Sequence, residues 1–136
     1  MSIRLKATYP VKKDVVWHFL THNSLLSEWC MPAKNFHLEI GAEFTFESKP
    51  SFFWDGKFFN KIIDYSRESF LEYECRSRWP KLDTVVYWEI IEKDGKTTLK
   101  LEHSGFRLRL LAKLRLRLGW RKILRKNLYR LVTAWE

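Results

Sequence analysis

The sequence predicts an α+β fold: an antiparallel β-sheet of about seven strands wraps round a long C-terminal helix, and two short helices follow the first strand. Between residues 36 and 104, apolar and polar residues alternate along most segments, as in strands with one buried face. After residue 119, apolar residues recur every three or four positions, as in an amphipathic helix. Aromatic residues make up 16% of the chain, which favours a wide interior walled by rings.

A strand and two short helices are expected at the beginning of the chain. Residues 3–8 alternate with period two and predict a strand. Helical spacing of apolar residues predicts a short helix over 11–21 and a second one over 23–30. Asn23 or Ser24 is expected to cap the second helix, because a side-chain oxygen there can accept a hydrogen bond from the first turn.

The strands that follow are predicted from their inward residues. The alternating sets are Phe36, Leu38 and Ile40; Phe44 and Phe46; Leu71, Tyr73 and Cys75; Val86, Trp88 and Ile90; and Leu99, Leu101 and His103. Residues 56–64 predict a further strand, whose inward face stays open because apolar residues occur there in adjacent pairs. Asp94 and Gly95 predict a tight hairpin turn, since this dipeptide tolerates positive φ.

The C-terminal segment contains a clear helix and an ambiguous stretch. The apolar face of the helix is predicted to consist of Trp120, Leu124, Leu128, Leu131 and Trp135. Residues 107–118 fit both a period of two and a helical period. We expect a short helix or an ordered lid there, separated by Gly119 from the long helix.

The positive charge is concentrated at the C-terminal end. The net charge is +9 at pH 7, and ten of the 25 Lys and Arg residues lie in residues 105–136, where Glu136 is the only acidic residue. Such a segment can attract nucleic acid, anionic lipid or an acidic partner protein, or it can be the solvated face of a helix. Because no specific nucleic-acid module is recognisable, we expect weak, salt-sensitive and non-selective anionic binding. The residues expected to carry it are Arg107, Arg109, Arg115 and Arg117.

Several classes of site are excluded because their motifs are absent. The sequence has no phosphate-binding glycine loop, nucleophile elbow, paired catalytic carboxylates or zinc-ligand spacing. His18 and His22 have the i, i+4 spacing of metal ligands, but no acidic residue or cysteine completes a set. We therefore expect no metal, no cofactor and no catalytic residues. Cys30 and Cys75 are expected to be buried free thiols.

Length and hydropathy predict one globular domain over residues 1–136. No apolar run approaches the roughly 20 residues of a transmembrane helix. The N-terminal residues lack the apolar core of a secretory signal. A cytoplasmic protein is expected, in agreement with reduced thiols.

The aromatic residues of the predicted interior are candidates for a ligand-binding surface, and plain core packing is the alternative. The expected ligand-binding residues are Trp29, Phe44, Phe46, Phe58, Tyr73, Trp88, His103, Trp120 and Leu124. Trp54 and Trp79 belong to the same aromatic set. His103 lies on the inward side of its strand, where it must bond Ser104 or the backbone, or meet a ligand.

Four groups of residues, in order along the chain, carry a family resemblance. They are Val16-Trp17 with Thr21-His22-Asn23 and Leu26-Ser27-Glu28-Trp29; Ile40-Gly41-Ala42-Glu43-Phe44; the strand end from Thr97 to Phe106; and Gly119-Trp120. Together they resemble the START-like (SRPBCC, helix-grip) superfamily. The similar branch includes the activator of the heat-shock chaperone ATPase, its bacterial homologues and polyketide-cyclase-like proteins. The chain departs from the family pattern at His22-Asn23, where the family has Asp-Pro, and in residues 107–118, which are richer in Arg and Leu.

The resemblance implies a helix-grip fold and leaves three functions open. The first is binding of a hydrophobic small molecule or lipid in a cavity between the sheet and the C-terminal helix, with Tyr73 and His103 orienting the ligand. The second is a protein-interaction or chaperone co-regulator role, carried by the basic C-terminal segment. The third is a cyclase-type enzyme.

Overall fold

Seven antiparallel strands curve round the C-terminal helix in the computed structural model, which describes residues 2–51, 54–107 and 109–135. The strands are β1 (Ser2–Tyr9), β2 (Ala33–Lys34), β3 (Glu43–Glu47), β4 (Lys57–Ser66), β5 (Phe70–Arg78), β6 (Lys81–Lys93) and β7 (Lys96–Ser104). The helices are α1 (Lys13–Thr21), α2 (Asn23–Trp29), α3 (Leu110–Lys122), a π-helical segment (Ile123–Leu128) and α4 (Tyr129–Thr133). The last three continue directly into one another and are called the C-terminal helix below.

The strand order across the sheet is β1-β7-β6-β5-β4-β3-β2, and all neighbouring strands are antiparallel. Helices α1 and α2 carry the chain from β1 to the opposite edge of the sheet. Strands β2 to β7 then follow in chain order back to β1. This arrangement confirms the predicted α+β fold. In the β6–β7 hairpin, Asp94 and Gly95 have φ of 54° and 77°, as the predicted tight turn requires.

The concave face of the sheet buries cross-strand rows of side chains. One row runs from Ile62 through Tyr73 and Val86 to His103, which are aligned neighbours on successive strands and all buried. In β4, whose facing the sequence left open, Phe58 and Ile62 point to this side. A register shift directly after Ile62 accounts for one of the adjacent apolar pairs in that strand.

The C-terminal helix fills the concave face. Its buried residues are Trp120, Leu124, Leu128 and Val132. The first three confirm the predicted apolar face, whereas Leu131 is only half-buried and Trp135 is exposed beside the rings of His18 and Phe19. A π-helical turn holds more residues than an α-helical turn, so the segment Ile123–Leu128 delays the next inward position by one residue.

The strand predicted over residues 36–40 is wrong. Strand β2 contains only two residues, and Asn35 then turns the chain with φ of 64°. The Asn23 side chain holds the loop that follows: its Nδ2 donates to the carbonyl oxygen of Ala33 (3.0 Å), and its Oδ1 accepts from the N–H of Phe36 (3.1 Å). Residues 36–40 are therefore a loop, and Ile40 is exposed.

The same contacts explain why the predicted cap of α2 is wrong. Asn23 uses both amide atoms on the loop, and the N-cap position falls on His22, which makes no side-chain capping bond. The break predicted at Gly119 is also wrong, because α3 begins at Leu110 and continues through Gly119. No helix of the described residues is long and apolar enough to cross a membrane.

Two glycine substitutions test this description of the backbone. Gly105 has φ of 98°, and an added Cβ would lie 3.1 Å from the carbonyl oxygen of Asp83. Gly105→Ala should therefore lower the free energy of unfolding by about 1–3 kcal/mol.

Gly119 lies in a helix where an added Cβ meets nothing within 4 Å. Gly119→Ala should therefore raise the free energy of unfolding by about 0.5–1 kcal/mol. Urea denaturation measures both, and destabilised Gly119→Ala would show that the helix breaks there.

Candidate ligand-binding site

A cavity of about 590 Å³ lies between the concave face of the sheet and the C-terminal helix. Its floor residues are Phe46, Phe58, Tyr73, Cys75, Leu82, Val86 and His103, which come from five adjacent strands. Its roof residues are Ala112, Leu116, Gly119, Trp120 and Ile123. Small-molecule sites in proteins have volumes of about 300–1,000 Å³ and mostly apolar walls, and this cavity has both properties.

The structure brings five of the nine predicted ligand-binding residues to the cavity wall. They are Phe46, Phe58, Tyr73, His103 and Trp120. The other four, Trp29, Phe44, Trp88 and Leu124, are buried behind that wall. The ring of Trp88 meets those of Trp29 (5.9 Å between centroids) and Trp120 (5.4 Å) edge to face. These rings support the wall through aromatic contacts.

Of the roof residues, the sequence predicted only Trp120. Ala112 and Leu116 precede Trp120 at i, i+4 spacing, so the helical period of residues 107–118 was the signal that identifies them. Trp54 lines the cavity, as its place in the aromatic set suggested. Trp79 of the same set is 54% exposed at the β5–β6 turn and lies outside the cavity wall.

A chain of hydrogen bonds joins the roof to the floor. The indole Nε1–H of Trp120 donates to Nδ1 of His103 (3.0 Å), and Nε2 of His103 lies 2.7 Å from Oγ1 of Thr84. The Thr84 hydroxyl donates its single proton to the carbonyl oxygen of Cys75 (2.7 Å), so Oγ1 accepts the bond from His103. His103 is therefore neutral, with its proton on Nε2 and both ring nitrogens engaged.

The partners of His103 differ from those expected, since it bonds the side chains of Thr84 and Trp120 and not Ser104 or the backbone. Burial lowers the pKa of His103 from 6.5 to about 3. A second ring proton would face the indole N–H of Trp120, so the contact itself also opposes protonation. The imidazole is thus a neutral link between helix and sheet at pH 7.

Tyr73 is the second polar side chain of the floor. Its hydroxyl accepts a hydrogen bond from the indole Nε1–H of Trp88 (3.1 Å), which leaves its own proton for another acceptor. Burial raises the pKa of Tyr73, so the hydroxyl stays neutral. Tyr73 can therefore donate one hydrogen bond to a carbonyl or hydroxyl group in the cavity.

Two buried polar side chains next to the floor have no hydrogen-bond partner among the described residues. They are Asn60, through both amide atoms, and Ser77, through Oγ. Asn60 is aligned with Cys75 and Ser77 with Leu82, and both neighbours line the cavity. An unpaired buried polar group lowers the stability of a fold by about 1–3 kcal/mol. Asn60 and Ser77 therefore destabilise the sheet beside the cavity.

The two thiols are free and both line the cavity. Cys75 is buried, whereas Cys30 is half-buried, so the expectation of a fully buried thiol is confirmed for Cys75 alone. Burial raises the pKa of Cys75 to about 12 and also raises the pKa of Cys30. A thiol with a raised pKa is a poor nucleophile at neutral pH.

His18 and His22 lie at the C-terminal end of α1, His18 in its last turn and His22 at its C-cap. Their rings are 3.8 Å apart, and Nδ1 of His22 lies 2.9 Å from the carbonyl oxygen of His18. The described part of the chain contains no group of three or more His, Cys, Asp or Glu side chains that could hold a metal ion.

The four arginines predicted to act together occupy three places. Arg109 and Arg115 border the cavity and are exposed to solvent. Arg117 lies with Arg125 in a separate surface groove beside β1. Arg107 is exposed, with φ of 54°, before α3 begins. The cavity therefore carries two cations where it meets solvent.

The fold agrees with comparisons to known proteins. The family model of the activator of Hsp90 ATPase homolog 1-like proteins matches residues 10–133, and the chain belongs to this family. This confirms the resemblance found in the sequence. No curated protein gives a significant match to the chain.

Solved structures agree on the fold over nearly the whole chain. Protein MLL2253 from Mesorhizobium loti is 20% identical, with a TM-score of 0.91, and the match covers 100% of this chain and 99% of that one. DynU16, a putative protein in the dynemicin biosynthetic locus, is 19% identical with a TM-score of 0.82, covering 97% of this chain and 47% of its own. PFC0360w, an HSP90 activator from Plasmodium falciparum, is 22% identical with a TM-score of 0.64, covering 77% and 73%.

The pH dependence of stability tests the state of His103. Its pKa is lower in the folded protein (about 3) than its ordinary value of 6.5, so the unfolded chain binds the extra proton between these values. The stabilisation is fully present above pH 6.5 and should fall with pH by up to about 1.4 kcal/mol per unit. His103→Leu should be less stable at neutral pH, because leucine has no atom that can accept the indole N–H of Trp120.

The slope of stability against pH tests whether the His103 imidazole is buried and neutral. Between about pH 6.5 and 5, where few carboxylates titrate, His103→Leu should have a shallower slope than the wild type in urea denaturation. An unchanged slope would contradict a buried neutral imidazole.

Proposed function

We propose that the protein binds a hydrophobic small molecule or lipid in the cavity between the sheet and the C-terminal helix. The observation that carries this proposal is an apolar cavity of about 590 Å³ with a few polar groups at defined places. Protein interiors are normally close-packed, and an empty space of this volume costs stability. A cavity of this size is therefore better explained as a ligand site than as part of the core.

The walls indicate how such a ligand would be held. Burial of apolar ligand surface against Phe46, Phe58 and Leu116 would supply about 25 cal/mol per Å². The hydroxyl of Tyr73 would donate to an acceptor atom deep in the cavity. Arg109 and Arg115 favour an acidic or other electron-rich group at the solvent end. The proposal thus favours a mainly apolar ligand that carries an oxygen function.

In this proposal His103 is a positioning residue. Both ring nitrogens are engaged, and its low pKa makes it a weak base at neutral pH. Its role is to hold Trp120 and thereby the cavity roof. Binding is therefore favoured over a cyclase-type reaction at this histidine.

A cavity-filling variant tests the proposal. Ala112 lies in the roof, whereas Leu114 lies on the same helix and is exposed outside the cavity. Ala112→Phe should weaken the binding of an apolar fluorescent dye about tenfold or more, because the added ring takes up ligand volume. Leu114→Phe is the matched control and should bind like the wild type.

Dye titrations of the three proteins measure the dissociation constants, and urea denaturation checks that each variant is folded. Equal binding by Ala112→Phe and the wild type would place the dye elsewhere. No saturable binding by the wild type to any apolar probe would contradict the proposed function.

Thiol labelling gives a second test that does not depend on dye fluorescence. Cys30 and Cys75 line the cavity and have raised pKa values, so both should react slowly with a maleimide in the folded protein and quickly in denaturant. A bound apolar probe should slow the reaction of Cys30 further. Labelling of Cys30 that is indifferent to the probe would argue against occupation of this cavity.

A further inference from the structure

The outer face of α3 carries a row of exposed leucines. Leu110, Leu114 and Leu118 follow one another at i, i+4 and i+8, and Leu111 lies beside them. Each is between 54% and 61% exposed. By helical periodicity Leu114 and Leu118 lie opposite the roof residues of the cavity, whereas Leu110 and Leu111, at the beginning of α3, also border it. Contiguous exposed apolar side chains of this size mark an interaction surface.

Cations flank the leucine row on both sides. Lys113 and Arg117 lie along one side of the row, and Arg115 and Lys122 lie along the other, as the helical period requires. The salt bridges of the described residues involve other cations, and Lys113, Arg117 and Lys122 take part in none of them. The face therefore combines apolar and positively charged groups on one surface.

We propose that this leucine face of α3, with its flanking cations, docks on the surface of an anionic lipid bilayer. Leucines of an interfacial helix enter the boundary between headgroups and acyl chains, and long Lys and Arg side chains reach the lipid phosphates from there. From Leu110 to Leu118 the row is about 12 Å long, which suits shallow, reversible docking.

The charge on this face decides between the alternative occupants. A second copy of the chain on the same face would bring two sets of like charges together, which opposes self-association. An anionic bilayer provides an apolar layer for the leucines and negatively charged headgroups for the flanking cations. Leu110 and Leu111 also border the cavity, so docking would place one rim of the cavity against the lipid.

Vesicle sedimentation tests the apolar part of the proposal. The wild type should sediment with vesicles of phosphatidylcholine and phosphatidylglycerol. The affinity of Leu114→Gln/Leu118→Gln for the same vesicles should be lower by about tenfold or more. Both leucines are exposed and lie outside the cavity wall, and Gln is a good helix former. Ile40→Gln/Ile63→Gln, which removes two exposed apolar side chains elsewhere, is the matched control and should bind like the wild type.

A second pair of variants tests the charge. Lys113→Gln/Arg117→Gln should reduce sedimentation with the anionic vesicles. Lys12→Gln/Lys61→Gln, which removes two exposed cations before α1 and on β4, outside the groove that holds Arg117, should not. Vesicles of phosphatidylcholine alone should sediment little of any protein. An environment-sensitive fluorophore on Leu118→Cys should shift to shorter wavelength with anionic vesicles, and the same fluorophore on Ile91→Cys should not.

Three results would overturn the proposal. One is equal binding by the leucine variant and the wild type, with all binding lost at high salt. Another is a wild-type dimer that the leucine variant abolishes. The third is an acidic protein that binds this face while anionic vesicles do not. Dye binding in the cavity should be unchanged in Leu114→Gln/Leu118→Gln, so failure of docking and failure of the proposed function are distinguishable.

Discussion

The hydrogen bond from the indole of Trp120 to Nδ1 of His103 anchors the C-terminal helix to the concave face of the sheet. It depends on one tautomer, and Thr84 enforces that tautomer because its only proton is committed to the carbonyl oxygen of Cys75. Four side-chain and backbone groups on β5, β6, β7 and α3 are thereby held in one line. Removing any of them leaves a buried polar group unpaired, which is costly in an apolar interior.

The two faces of α3 follow from this anchor. Its inner face stands over the cavity, where Ala112 and Gly119 are too small to fill the space above the floor. Its outer face presents Leu114 and Leu118 between cations. One helix therefore forms both the roof of the proposed ligand site and the proposed lipid-docking surface. Asn60, beside the floor, has no hydrogen-bond partner among the described residues. An unpaired buried amide is unusual in a close-packed apolar core.

The sequence predicted the fold well because alternation and helical spacing report burial directly. It failed at residues 36–40, where the alternating pattern is real but Asn23 binds the backbone and turns the segment into a loop. It also misplaced part of the site, since an inward position does not distinguish a cavity wall from the layer behind it. Trp88 and Phe46 are both inward, yet only Phe46 borders the cavity. That distinction depends on the distance between helix and sheet, which no local pattern encodes.

The central claim is that an apolar ligand occupies the space under Trp120, and the indole N–H signals of the seven tryptophans test it most directly. In a two-dimensional NMR titration of nitrogen-15-labelled protein with an apolar probe, the Trp120 and Trp54 signals should shift and saturate together. The exposed Trp79 and Trp135 should stay unchanged. Saturable shifts confined to Trp79 or Trp135, or no saturable shift at Trp120, would contradict the account.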